Sequence, residues 1–387
     1  MPAVRPELAP DYHGGSILNL ITTLGGHFGI QSPHAGFGTP LPLAGAETII
    51  LLVVDGLGLG QLQNAMAKGV TPNVARLIGE HGLGSATSVF PSTTMAALTT
   101  LHTGRAPAEH GYLGLSVWLE ELGRVVNLIR LQDAADRQPV TGASFLAAVP
   151  SIYQQLSELG ISCAVVMPEE YGQSFLTRWC CAGASYVGYG FPSTAASLTA
   201  GLVRSGGARY VMVYLPDYDS TCHTYGPSSD QAADELAAVD LIVGRLLGAL
   251  PDNGKTLLVL TADHGQVDQS AQGVVPVTQS EEFQRLLLAP MAGEERAAYF
   301  RIDPRHMHEA VSLLAPYAAV FEADDAWEAG LFGPDPDSPF RSRTGHLIAV
   351  ANEGLALTRR RSGTSQRGLH GGWSGAEMRV PVLAVRR

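Results

Sequence analysis

Six acid and imidazole side chains stand out by where they fall along the chain: Asp55, Asp219, His223, Asp263, His264 and His370. Asp55 directly ends the apolar run Glu47 to Val54. Asp219 and His223 follow Arg209 to Leu215 in LPDYDSTCHTYGP, and Asp263 and His264 follow Lys255 to Thr261 in LLVLTADHG. His370 lies in GLHGGWSG, shortly before the apolar run Val380 to Val385. One Asp at a strand end is often just the cap of the next helix, and Asp219 with His223 would also make a local hydrogen-bonded pair. Several strand ends sharing one chemistry argue for more. Buried carboxylates repel one another and resist desolvation unless cations are present. Mixed His and carboxylate ligands suit Zn2+, whereas an all-oxygen set favours Mg2+ or Ca2+. Six ligands are enough for two three-ligand sites, each with an open position. Two metals roughly 4 Å apart can clamp the attacking and leaving oxygens of a phosphoryl group.

A hydroxyl nucleophile is also in view. The stretch from Phe90 to Gly104, FPSTTMAALTTLHTG, begins as a strand end and turns into a helix of small residues. A hydroxyl at a helix N-terminus sits where backbone N–H groups and the dipole favour an anion. A bound metal can deprotonate such a hydroxyl for attack on phosphorus. Ser-Thr-Thr before a helix is equally an ordinary N-cap, and these residues alone leave Ser92, Thr93 and Thr94 open.

The elements that must position these groups alternate. Short, continuous apolar runs at Glu47 to Val54, Ser162 to Met167, Arg209 to Leu215 and Lys255 to Thr261 read as strands buried on both faces. Thr71 to Glu80 reads as a helix with Pro72 first after a Thr cap, and Thr194 to Arg204 as another. A longer helical pattern runs to Leu250 behind a Ser228…Gln231 capping box. This alternation predicts an α/β fold with a mostly parallel, helix-covered sheet, in which ligands collect outside the carboxyl ends of the strands.

Between Gln266 and Gly345 the texture changes. A strand at Ala297 to Ile302, a helix at Pro304 to Ala315 and a strand at Ala318 to Glu322 precede acidic, Pro-rich loops. The expectation is a small α+β cap, residues 267–345, inserted into a core of residues 1–266 and 346–387. His346 to Ala351 and Val380 to Val385 are expected to return to the core sheet.

With 387 residues, 45% of them hydrophobic, the chain can bury a large core and is not disordered over most of its length. Its 25 basic against 36 acidic residues give a net charge of −11, which lacks the basic footprint a nucleic-acid polymer needs. A small phosphorylated substrate remains compatible if metals supply positive charge locally. The longest clean apolar run, Ile49 to Val54, falls far short of the about 20 residues a membrane span requires. The N-terminus has no signal-peptide pattern, and Cys163, Cys180, Cys181 and Cys222 form no C-x-x-C pair. Reduced thiols and a cytoplasmic location are therefore expected.

Other motifs carry less. Gly56-Leu57-Gly58-Leu59-Gly60 has G-x-G-x-G rather than dinucleotide spacing and follows an acid. No G-x-S-x-G elbow is present. Cys222 and His223, taken as adjacent on an extended segment, would diverge rather than act together.

Taken in order, VVDGLG, FPSTT…TGRAPAEHGYLG, PDYDSTCHTYGP, TADHG and HGG resemble the motifs of the alkaline phosphatase superfamily, most closely its nucleotide pyrophosphatase/phosphodiesterase branch. The resemblance runs from about Ile49 to the C-terminus. It implies an alkaline-phosphatase-like three-layer α/β/α core and two divalent metal ions, zinc with manganese as the alternative. One zinc would be held by Asp55, Thr94, Asp263 and His264, the other by Asp219, His223 and His370. Thr94 matches the family's nucleophile, with Thr93 and Ser92 as fallbacks, and Asp217 is the fallback for Asp219.

Two departures bear on substrate. The branch places an Asn five residues after the His of its "HG" motif; here that place, counted from His110, holds Leu115. No Arg follows Thr94, as the superfamily's monoesterases would lead one to expect, so a monoanionic diester or pyrophosphate is favoured over a dianionic monoester. The resemblance therefore implies a nucleotide pyrophosphatase/phosphodiesterase working through a phospho-threonine. Its rivals are a phosphonate hydrolase of the phosphonoacetate type, a phosphomonoesterase, and an inactive, metal-stabilised binding protein.

Overall fold

The computed structural model describes residues 4–140, 149–359 and 366–387. Its central sheet has seven strands, in the order Gly84–Thr87, Arg379–Arg386, Thr256–Thr261, Thr48–Val54, Tyr210–Leu215, Cys163–Pro168 and Ser185–Tyr189. All run parallel except Arg379–Arg386, which is antiparallel to both neighbours. Ile49 through Val54 are fully buried, as a strand with helices on both faces requires. Each such Leu, Ile or Val contributes roughly 1.5–3 kcal/mol by leaving water.

The helices fall into two groups. Pro72–His81 and Ala195–Arg204 both pack on the long Asp230–Ala249 helix, while Ile17–His27 and Ile152–Glu158 pack on Thr94–Thr103. This is the expected α/β/α architecture. Among the described residues no helix is long and apolar enough to cross a membrane.

Two caps differ from expectation. The long helix is capped by Ser229, whose hydroxyl accepts from Ala232 N–H at 3.1 Å, rather than by Ser228, which turns its hydroxyl to Asp268. Thr71 stands at the N-cap of Pro72–His81 but makes no side-chain cap. Buried Asp240 of the long helix supplies it instead, accepting from the N–H groups of Asn73 at 3.1 Å and Val74 at 2.8 Å.

A second seven-stranded sheet, antiparallel throughout, has the order Ala318–Glu322, Leu347–Ala351, Ala297–Phe300, Ala292–Gly293, Ser116–Leu119, Arg124–Asn127 and Gln132–Asp133. Leu347–Ala351 therefore does not return to the central sheet. It pairs with Ala297–Phe300 and Ala318–Glu322, because this second sheet carries a core on each face and buries the strand from both sides. Leu347, Ala349 and Ala351 face Phe283, Phe300 and Leu314; Ile348 and Val350 face Tyr299, Phe321 and Trp327. The sheet also takes strands from residues 116–133, outside the 267–345 segment.

Candidate active site

Three neighbouring parallel strands of the central sheet, Thr256–Thr261, Thr48–Val54 and Tyr210–Leu215, deliver the acids at their shared carboxyl edge. Asp55 follows one of them directly, and Asp263 follows another after Ala262. The third leads into the short helix Asp217–Tyr225, so Asp219 and His223 lie one turn apart on one helical face rather than on an extended segment. His370 follows Gly368–Leu369, which pairs with Val267–Asp268 just beyond His264. Thr94 opens the helix Thr94–Thr103, with Thr93 at its N-cap.

All six predicted ligands converge. His264 Nε2 is 3.5 Å from Asp55 Oδ1 and 3.5 Å from Asp263 Oδ2. Thr94 Oγ1 lies 3.1 Å from the same nitrogen. His223 Nε2 is 3.3 Å from Asp219 Oδ2 and 3.2 Å from His370 Nε2, which is 3.8 Å from Asp219 Oδ1. The His264 and His370 rings stack with centroids 3.9 Å apart and join the two halves. Thr94 is half-buried while Ser92 and Thr93 are buried, so the hydroxyl beside the imidazoles is also the one open to a ligand. Ser92 instead donates to Gly372 carbonyl at 2.6 Å.

The arrangement fits cations. Each imidazole turns Nδ1 to a backbone carbonyl, His223 to Gly368 at 2.8 Å, His264 to Gly265 at 3.1 Å and His370 to Ser92 at 3.3 Å. An Nδ1–H donating there leaves every Nε2 lone pair facing the cluster, the tautomer a metal ligand needs. Among the described residues Asp55 Oδ1 and Asp263 Oδ2 are buried without a hydrogen-bond partner, although Tyr214 hydroxyl donates to the other oxygen of Asp55. Asp263 Oδ1 accepts from Gly56 N–H at 3.1 Å and His264 N–H at 3.0 Å. Two orphaned carboxylate oxygens beside an imidazole nitrogen are what a cation would satisfy.

Electrostatics agree. Burial pushes both Asp55 and Asp263 upward, and neighbouring carboxylates add to it, so protein groups alone do not neutralise these acids. For Asp219 burial also acts upward. The His223 hydrogen bond and the charges of His370, His223 and His264 outweigh it and hold the carboxyl at about 2. The groups Asp55, Asp263, His264 and Asp219, His264, His370 each place their ligand atoms within 4.8 Å of one another.

Several supporting residues carried no sequence signal of a role. Gln266 donates to Asp219 Oδ1 at 2.6 Å, and Tyr214 is one of two tyrosines in a buried strand. Glu294 arrives from the turn between Ala292–Gly293 and Ala297–Phe300. Its Oε1 accepts from Thr93 hydroxyl at 2.8 Å and from Leu115 N–H at 2.6 Å. At the place where the resemblance leads one to expect an Asn side chain, Leu115 thus offers only its backbone, already bound to an acid. Burial pushes the Glu294 carboxyl up to about 7.

Gly56 allows the Asp55 turn. Its φ is +71°, and a Cβ would lie 2.7 Å from Gln266 Nε2 and 3.0 Å from Asp219 Oδ1. Gly56→Ala should cost more than about 1 kcal/mol of stability, read as a lower thermal unfolding midpoint, and should disturb Asp219. An unchanged midpoint would show that the turn tolerates a side chain.

Comparison with known proteins places this geometry in context. A family model described as type I phosphodiesterase / nucleotide pyrophosphatase matches residues 49–375. No curated protein matches the sequence. Among solved structures, murine ectonucleotide pyrophosphatase/phosphodiesterase 5, in an inactive form in complex with AMP, is similar with a TM-score of 0.67 and 18% identity, over 87% of each chain. Phosphonoacetate hydrolase from Sinorhizobium meliloti 1021, in complex with phosphonoacetate, is similar with a TM-score of 0.67 and 18% identity, over 88% of this chain and 91% of that one.

Proposed function

The chain belongs to the type I phosphodiesterase / nucleotide pyrophosphatase family, and on that premise we propose that it is a two-metal hydrolase of phosphodiester or pyrophosphate bonds in small phosphorylated compounds. The observation that carries this reading is the convergence of Asp55, Asp263, His264, Asp219, His223 and His370 beside the half-buried Thr94 hydroxyl. Asp55, Thr94, Asp263 and His264 would hold one divalent cation, and Asp219, His223 and His370 the other; zinc suits this mixture of imidazole and carboxylate better than magnesium or calcium. Bound there, the cations supply the positive charge that lowers the pKa of the Thr94 hydroxyl and neutralises phosphoryl oxygens.

The chain's own residues do the rest. Thr94, at the first position of its helix, presents Oγ1 where backbone N–H groups favour an anion. Its oxygen bonds to phosphorus as the leaving alkoxide departs, and water then cleaves the phospho-threonine ester. Tyr214 and Gln266 orient Asp55 and Asp219 by hydrogen bonds. The carbonyls of Ser92, Gly265 and Gly368 fix the three imidazoles.

The test is hydrolysis by metal-depleted protein reloaded with zinc or manganese. The panel is bis(p-nitrophenyl) phosphate, p-nitrophenyl phosphate and phosphonoacetate, the last included because the fold is equally similar to phosphonoacetate hydrolase. The diester should be cleaved fastest, activity should vanish on chelation, and metal should restore it. Two bound metals with no hydrolysis of any member would instead favour an inactive binding protein.

A further inference from the structure

The turn that brings Glu294 into the site gives it a position that none of the metal-ligating or nucleophilic roles uses. Thr93, next to the proposed nucleophile, and Leu115 N–H both donate to a single oxygen, Oε1, at 2.8 and 2.6 Å. Among the described residues nothing hydrogen-bonds to Oε2, and Glu294 is half-buried rather than sealed in the core. Gly371, next to His370, closes the other side. Its φ is +115°, and a Cβ there would come within 3.1 Å of Glu294 Cβ. Glu294 is therefore held rigidly between the segment carrying Thr94 and the segment carrying His370, with one acceptor oxygen left over.

We propose that Glu294 is the specificity-determining residue of this site, reading the part of the substrate next to phosphorus and selecting phosphodiesters whose substituent carries a hydrogen-bond donor, above all an ammonium group. The inference rests on the hydrolase reading and narrows it to a substrate class. The chemistry is direct. Although burial pushes the Glu294 carboxyl up to about 7, an arriving ammonium favours its ionised form; the carboxylate oxygen then accepts hydrogen bonds only, so it pairs with an ammonium or hydroxyl and repels a further anionic oxygen. Charge-assisted bonds of this kind are about twice as strong as neutral ones. Thr93 and Leu115 fix the carboxyl plane beforehand, so little side-chain entropy is lost when the donor arrives. The same feature works against dianionic monoesters, which would set a second negative charge beside Glu294.

The experiment compares two esters of like size, p-nitrophenyl aminoethyl phosphate and p-nitrophenyl propyl phosphate, on zinc-loaded protein. The wild type should prefer the aminoethyl ester in kcat/KM by about tenfold or more, the least expected from one charge-assisted hydrogen bond. Glu294→Gln should bring that ratio close to one, whatever happens to the absolute rates, and Glu294→Asp should keep part of the preference. A wild-type ratio at or below one overturns the proposal, and so does a ratio that survives in Glu294→Gln. The wild-type ratio decides on its own if the Gln variant does not fold. Cleavage of neither ester would sink the hydrolase reading itself, whereas cleavage of both without preference would sink only the role of Glu294.

Discussion

Thr94→Ala should lower the turnover of bis(p-nitrophenyl) phosphate by at least about 10³-fold, since removing a covalent nucleophile leaves only binding and electrostatic contributions. Metal content and fold should survive. Among the described residues the Thr94 hydroxyl is hydrogen-bonded to His264 alone, at 3.1 Å, and the six nitrogen and carboxylate ligands remain. Ala is moreover the better helix former at a helical position. Thr94→Ser keeps the oxygen and should retain a substantial part of the rate. Elemental analysis beside steady-state kinetics separates the cases. Near-full hydrolysis by the Ala variant would rule out a covalent threonine and favour direct attack by water.

The second large effect concerns the pin that holds the His370 loop. Arg296, fully buried, donates Nε and Nη2 to the two oxygens of buried Glu377 at 2.9 and 2.8 Å. Its Nη1 donates to the carbonyls of Ala351, Asn352 and Leu355. Glu377 also accepts from Gly372 N–H at 2.8 Å and Ser374 hydroxyl at 2.7 Å. Burial alone would raise the Glu377 carboxyl; Arg296 outweighs it and keeps the carboxyl below its ordinary range. The pair thereby ties the second sheet to the loop after His370. Arg296→Met leaves an uncompensated buried carboxylate and should cost about 3–5 kcal/mol. It should also lower activity by loosening His370. Adding Glu377→Leu removes the stranded charge, so the double variant should be more stable than Arg296→Met alone. Denaturation midpoints check this; strictly additive losses would mean that the two groups act independently.

The site was more legible in the sequence than the scaffold around it. Asp55 and the pair Asp263-His264 each end a continuous apolar run, and a buried strand ending in acid leaves few other meanings. The D-x-x-x-H of Asp219 and His223 was legible as a pair, although its helix was not. LPDYDSTCHTYGP has no apolar period, and the helix Asp217–Tyr225 is held by packing and by its place after a strand. The second sheet was harder to see. Ser116–Leu119 and Ala292–Gly293 are too short for a pattern to register. Leu347–Ala351 is as continuously apolar as any central strand, because it too is buried on both faces. Burial in sequence does not say in which sheet. Glu294 and Arg296 lie in GEER, which reads as a solvated turn. Only the packing of that turn against Thr93 and Glu377 gives them a role.

Anomalous X-ray scattering at the zinc edge, from crystals of the zinc-loaded protein, bears most directly on the central claim. It should show two peaks, one bounded by Asp55, Thr94, Asp263 and His264 and the other by Asp219, His223 and His370. No peak at either position, or zinc bound only elsewhere on the chain, would contradict the two-metal site and the chemistry built on it.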